Sequence, residues 1–151
     1  DPPDIFVEFG SRTLGVELVQ LVDESHKRRA SSGSRRKTQK SSPQSVDESP
    51  YSGALFVGMQ WSRDRFDNKL NEIIQIKTER YRKSGRKIDI LVIHTDEPWL
   101  YSSQAREWLT EFEIRKPPNI PCAYLLFNYE PGRGVEHWPV FRLFGSLDDF
   151  V

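Results

Sequence analysis

Residues 88–95 (IDILVIHT) form a nearly continuous apolar run, and this segment constrains the fold more than any other. Such a run is typical of a strand that is covered on both faces, as in a parallel sheet with helices packed against it. The preceding segment begins with a capping residue, Ser62 or Asp64, carries an apolar stripe at helical spacing, and ends at Gly85. A long helix followed by a covered strand predicts an α/β domain.

The flanking segments extend this pattern into a mixed β-sheet flanked by helices. The first two strand-like segments alternate polar and apolar residues on each side of a turn, which predicts a hairpin. A shorter amphipathic helix is predicted around Ala105 to Phe112, and Pro139 marks the last strand as an edge. We expect one domain spanning residues 1–151. The further strands are predicted at residues 4–9, 13–22, 54–61, 122–129 and 140–144.

One strongly basic segment lies within a chain of zero net charge. Residues 26–46 contain seven cations and no acid, so the remaining 15 basic and 22 acidic residues carry a charge of −7. The Ser-, Lys- and Arg-rich composition predicts a disordered loop at about 25–50. Its cations are predicted to bind a phosphate backbone, although a solvated linker or a localisation signal has the same composition. The cations are Lys27, Arg28, Arg29, Arg35, Arg36, Lys37 and Lys40.

The composition also argues against several classes of protein. The single cysteine, Cys122, forbids an internal disulfide and cannot build a zinc site with three scattered histidines. No apolar run approaches the roughly 20 residues needed to span a bilayer, and the first ten residues lack the pattern of a secretory signal. We therefore expect a cytoplasmic protein with no membrane partner. The sequence leaves open a homo-oligomer.

Two acidic residues occupy the arms of the predicted hairpin. Glu17 lies between Val16 and Leu18 in an apolar strand, where a carboxylate is costly to bury unless it is paired or bound to a metal. Asp4 on the neighbouring arm would give the two carboxylates that a magnesium ion takes. A solvated sheet edge explains the same spacing. With a metal site, Asp4→Asn or Glu17→Gln is expected to leave the thermal melt unchanged or slightly higher, because two metal-free carboxylates repel each other.

Short motifs in this part of the chain resemble the PD-(D/E)XK, or restriction-endonuclease-like, nuclease superfamily. Pro3-Asp4 and the strand segment at 15–19 (GVELV) match its acidic motifs, and Lys77 with Tyr81 is similar to its Gln/Lys-x-x-x-Tyr helix. The similarity covers roughly residues 3–95. It implies a nuclease acting on DNA, or on RNA, with Mg²⁺ or Mn²⁺. The implied metal ligands are Asp4, Glu17 and the carbonyl of Leu18.

The sequence departs from the superfamily at two points. Val19 stands where the superfamily has its catalytic lysine, and the leading helix has no counterpart in this chain. Lys77 lies in the apolar stripe of the long helix and is predicted to replace the missing lysine beside Glu17; the alternative is that it extends past the sheet edge to water. Tyr81, together with the seven cations of the basic loop, is predicted to contact the nucleic acid. A second hypothesis is an inactive nuclease-fold domain that binds nucleic acid or a protein partner.

Deleting residues 26–46 is expected to weaken DNA binding and to flatten its salt dependence. Each cation that contacts a phosphate adds about 0.9 to the slope of log affinity against log salt, because bound counterions are released. Fluorescence anisotropy over a salt series measures the slope. An unchanged slope would identify the segment as a linker.

Overall fold

A five-stranded mixed sheet organises the part of the chain that the computed structural model describes, which comprises residues 2–22, 60–114, 116–129 and 138–150. The strands are β1 Ile5–Phe9, β2 Arg12–Gln20, β3 Ile90–Thr95, β4 Cys122–Phe127 and β5 Val140–Phe144. They lie side by side in chain order. The pairs β1–β2 and β4–β5 are antiparallel, whereas β2, β3 and β4 run parallel. The outer strands therefore form hairpin-like edges around a parallel centre.

The observed elements confirm the predicted α/β class with a mixed sheet. The predicted hairpin, the long helix and the covered strand are all present. Every described residue except Gln60 belongs to one compact unit. The predicted basic loop at 25–50, with its seven cations, lies outside the described residues, as does most of the strand predicted at 54–61.

The long helix, α1, spans Arg63–Ser84 and is fixed at both ends by its caps. The Ser62 side chain accepts a hydrogen bond from the backbone N–H of Arg65, which satisfies one of the free amides of the first turn. At the other end, Gly85 adopts φ +67°, a left-handed conformation that ends the helix without the strain of a Cβ. The capping residues therefore determine where α1 begins and ends in the chain.

The second helix, α2, spans Ser102–Leu109 and is shorter than its apolar pattern suggested. Thr110 caps its C-terminus, so Phe112 follows the helix and packs against the core from the segment after it. A 3-10 helix at Leu147–Phe150, which the sequence pattern did not predict, follows β5. Its Leu147 and Phe150 pack against the sheet on the face opposite to the two α-helices.

The two faces of the sheet carry separate apolar clusters, and alternation along β3 assigns its side chains to them. Leu91 and Ile93 join the larger cluster with side chains of both helices. Ile90 joins a smaller cluster on the opposite face, which Leu147 and Phe150 cover. The strand is therefore covered on both sides, as its apolar sequence predicted. The helix side chains in the larger cluster include Phe66, Leu70, Ile73, Ile74, Tyr81 and Ala105.

Gly145→Ala is expected to destabilise the fold far more than Gly85→Ala, although both glycines have φ +67°. A Cβ at Gly145 would lie 2.2 Å from the carbonyl oxygen of Pro121, whereas a Cβ at Gly85 meets nothing within 4 Å. The left-handed conformation alone costs a residue with a Cβ about 1–2 kcal/mol at Gly85. The added clash at Gly145 raises the loss to about 3 kcal/mol or more. Urea unfolding measures both values, and equal losses would contradict the close approach at Gly145.

Candidate functional site

A buried carboxylate lies at the centre of the candidate site. Glu17 is on β2, paired in parallel register with Leu91 of β3, and only 3% of its surface is exposed. Its alternating neighbours Val19 and Leu21 pack into the cluster beneath the helices, so Glu17 faces α1. A carboxylate in this position requires polar partners, since burying an unpaired charge is strongly unfavourable.

Two side chains from α1 supply those partners. The Lys77 ammonium donates to Oε1 of Glu17, and the Tyr81 hydroxyl donates to Oε2. Lys77 and Tyr81 are four residues apart, so they project from the same face of the helix on successive turns. The side chain of Lys77 is 12% exposed and that of Glu17 is 4% exposed, which makes this a largely buried ion pair. The structure therefore places Lys77 against Glu17 rather than in water.

The pKa of the Tyr81 phenol reflects its burial and its contact with an acidic side chain. Its pKa is raised well above the ordinary value of 10, first by burial and then by the hydrogen bond to Glu17 and the charge of that carboxylate. Arg80 opposes the rise in pKa, and the charge of Asp4 adds to it. Tyr81 thus remains a protonated donor throughout the physiological pH range.

Asp4 lies at the start of the first arm, next to Glu17. The antiparallel register begins with Ile5 opposite Val16, and Asp4 directly precedes Ile5 where Glu17 directly follows Val16. Asp4 is exposed, and its Oδ2 accepts a hydrogen bond of 2.8 Å from the backbone N–H of Leu18. This bond holds the Asp4 carboxylate against the peptide group that links Glu17 to Leu18. The hairpin thus juxtaposes one buried and one exposed acid.

The donor set around Asp4 and Glu17 suits a hard divalent cation. Magnesium takes one or two protein carboxylates and leaves other positions to water and phosphate. Within the described ranges, no group of three or more His, Cys, Asp or Glu side chains could hold a metal ion, so a site built like a structural zinc centre finds no support there. Each carboxylate oxygen that accepts one hydrogen bond retains a further lone pair. A two-carboxylate magnesium or manganese site is therefore compatible with these residues.

The three residues that follow Glu17 on β2 differ in their surroundings. Val19 is half-buried and packs on the core, so no cation comes from the usual lysine position. Gln20 lies on the opposite face of the strand, where its side chain donates to Asp96 at 2.7 Å. Leu18 is 38% exposed.

Two features near the site were missed when the sequence was interpreted. Residues 80–87 (RYRKSGRK) contain five cations and no acid, and only the helix-ending role of this segment was considered. Asp89 accepts a 2.7 Å hydrogen bond from the backbone N–H of Gly15, a contact across 74 positions that no local pattern predicts. The cationic segment could have been found by the same count of charges that identified residues 26–46.

Comparisons with known proteins give no relative from which a function could be transferred. The chain matches no protein-family model, and neither a curated protein nor a solved structure shows a significant similarity to it. No helix among residues 60–114 or elsewhere in the described part is both long and apolar enough to cross a membrane.

The ion pair changes one expectation drawn from the sequence. Glu17→Gln was expected to leave the thermal melt unchanged or higher, because that expectation considered only the repulsion between Glu17 and Asp4 and not the predicted contact with Lys77. The structure adds the Lys77 ammonium as a direct partner. Removing either member of a largely buried pair leaves the other charge without its partner, which is destabilising.

We therefore expect Lys77→Met and Glu17→Gln each to lower the free energy of unfolding by about 3 kcal/mol. The double variant is expected to lose much less than the sum, because neither charge is then left alone. Urea unfolding of the four proteins gives the coupling energy. The exposed pair Lys69–Glu72 is the matched control, and its coupling is expected to stay below about 1 kcal/mol. Equal couplings for the two pairs would contradict the buried arrangement.

Proposed function

We propose that this domain is a metal-dependent nuclease of the restriction-endonuclease-like class that hydrolyses phosphodiester bonds in DNA. The observation that carries the proposal is the meeting of Lys77 with Glu17, next to Asp4. Two acids and one cation, brought together from a hairpin and a helix, are the groups that metal-assisted phosphodiester hydrolysis requires. RNA is a less favoured substrate of the same chemistry.

The order of the elements supports the proposed class. A hairpin carrying the two acids precedes α1, which carries the cation, and the covered strand β3 then pairs in parallel with the second arm of the hairpin. This is the order in which the short motifs resemble the nuclease superfamily. The motifs are thus joined in one sheet-and-helix unit, on the same side of the sheet as α1.

Each residue would have a distinct role in this reaction. Asp4 and Glu17 would hold Mg²⁺ or Mn²⁺, with the carbonyl of Leu18 as a further ligand. Such an ion, when bound, lowers the pKa of a coordinated water and neutralises charge on the phosphate. The Lys77 ammonium would orient the attacking water and stabilise negative charge on the phosphate oxygens. Tyr81, whose phenol stays protonated, would keep the Glu17 carboxylate in a fixed orientation.

A second candidate function is nucleic-acid binding without hydrolysis. Its support is that both oxygens of Glu17 already have partners, Lys77 on one and Tyr81 on the other. A buried cluster whose charges are satisfied among themselves can serve as a structural element of the core. The apolar Val19 at the usual lysine position is consistent with this alternative. The two functions predict opposite results in a cleavage assay.

The nuclease proposal predicts cleavage of plasmid DNA that requires Mg²⁺ or Mn²⁺ and stops in EDTA. Asp4→Asn and Glu17→Gln are expected to abolish cleavage, because each removes a metal-binding carboxylate. Lys77→Met is expected to slow it by a factor on the order of 100 or more, the scale for losing a positioned charge. Plasmid nicking and linearisation are followed on gels, at a temperature where circular dichroism finds every variant folded.

Two matched variants separate a specific effect from a general one. Glu8→Gln removes an exposed acid from the same hairpin, and Lys69→Met removes a cation from the same helix, so both are expected to retain full cleavage. Full cleavage by folded Asp4→Asn or Glu17→Gln would refute the proposed site. A wild-type protein that binds DNA but cleaves none with either metal would favour the binding function.

A further inference from the structure

An open groove of about 500 Å³ lies beside the candidate site, at the end of the sheet where β2 and β3 begin. Phe6 and Pro3 line one part of it, and Arg86 and Lys87 line another. Its floor includes Gly15, where a Cβ would come within 2.7 Å of Pro3, so the glycine allows the proline to approach closely. The groove therefore combines an aromatic ring and two cations around a fixed floor.

The ring of Phe6 has no structural explanation among the described residues. It is 63% exposed, the largest exposed fraction among the large apolar side chains of the described residues. Arg86 and Lys87 are also exposed, and the one acid in the groove, Asp89, is engaged by the backbone N–H of Gly15. A flat ring beside cations is the combination with which proteins bind unpaired nucleotides, the ring stacking on a base and the cations contacting phosphate.

The groove lies a short distance along the hairpin from Asp4 and Glu17. Phe6 follows Asp4 by two residues on the same face of the hairpin, and its register partner Gly15 precedes Glu17 by two. Two residues along a strand span about 7 Å, so a base at Phe6 would lie within about one or two nucleotides of a phosphate at Asp4 and Glu17. A strand whose phosphate lies at Asp4 and Glu17 would thus place a neighbouring base at Phe6.

We propose that this groove binds an unpaired nucleotide next to the reacting phosphate, with its base on Phe6 and its backbone on Arg86 and Lys87. The preferred substrate class is then nucleic acid with an unpaired segment, such as a single strand, an unpaired end or a locally opened region of a supercoiled plasmid, because a base within a duplex cannot stack on a side-chain ring. This inference rests on the proposed nucleic-acid substrate and adds to it the strandedness. It does not require hydrolysis.

The test measures equilibrium binding in EDTA and again in Ca²⁺, which carboxylates also bind, and gels confirm that the probes remain uncleaved. The probes are a fluorescein-labelled single-stranded DNA and its blunt duplex. Phe6→Ala is expected to weaken single-strand binding by about fivefold or more and to leave duplex binding unchanged, whereas Phe6→Tyr, which keeps the ring, retains affinity. Ile5→Ala is the matched control, because Ile5 is an exposed apolar residue on the opposite face of the same strand.

A second pair of variants tests the cations. Arg86→Gln with Lys87→Gln is expected to lower the salt slope of single-strand binding by about 0.7 for each cation removed. Arg82→Gln with Lys83→Gln removes two exposed cations that do not line the groove, and is expected to have a smaller effect.

Three results would overturn the groove proposal: Phe6→Ala with no effect, Phe6→Ala with equal effects on both probes, or a wild-type protein that binds no single strand. A Phe6→Ala protein that binds normally but sediments as a smaller species would instead assign the ring to a contact between copies of the chain. Loss of cleavage alone leaves these binding results intact. Failure of hydrolysis and failure of the groove are therefore distinguishable.

Discussion

Two hydrogen bonds join the buried carboxylate of Glu17 on β2 to side chains of α1, and they constrain how the helix lies on the sheet. Glu17 could not occupy its position without partners, since an isolated charge in a core is strongly unfavourable. Lys77 and Tyr81 satisfy both of its oxygens, and each must come from the same face of one helix. The contact thus fixes the rotation of α1 about its axis and its position along β2. Apolar packing by itself tolerates small slips in both.

Periodicity and capping signals predicted the two α-helices and five strands of the described residues, although not the 3-10 helix at Leu147–Phe150. The alternation in the hairpin, the caps at Ser62 and Gly85 and the apolar run of β3 each identify one element locally. Lys77 was predicted to face Glu17 for a physical reason as well, because a lysine within an apolar stripe needs a partner. The parts of the site that come from secondary structure were therefore accessible from the sequence.

Contacts between distant segments were not accessible in the same way. The hydrogen bond from Gly15 to Asp89 joins residues 74 positions apart, and neither residue type is unusual in its local pattern. Alternation assigned Phe6 to a face of the hairpin, but it could not show that nothing in the described part of the chain covers that ring. Coverage depends on where other segments pack.

The location of the cation on a helix, rather than on the strand that carries Glu17, has a mechanical consequence. Two groups on one strand keep their separation as long as the strand exists, whereas Lys77 and Glu17 keep theirs only while α1 stays in place. Phe66 and Leu70, up to three turns from Lys77, act on the ion pair through the rigid helix between them. A substitution that changes the volume of Phe66 or Leu70 is thus expected to change the separation of Lys77 and Glu17 as well. In this domain, repacking the interior is also a way of tuning the distance between two charges.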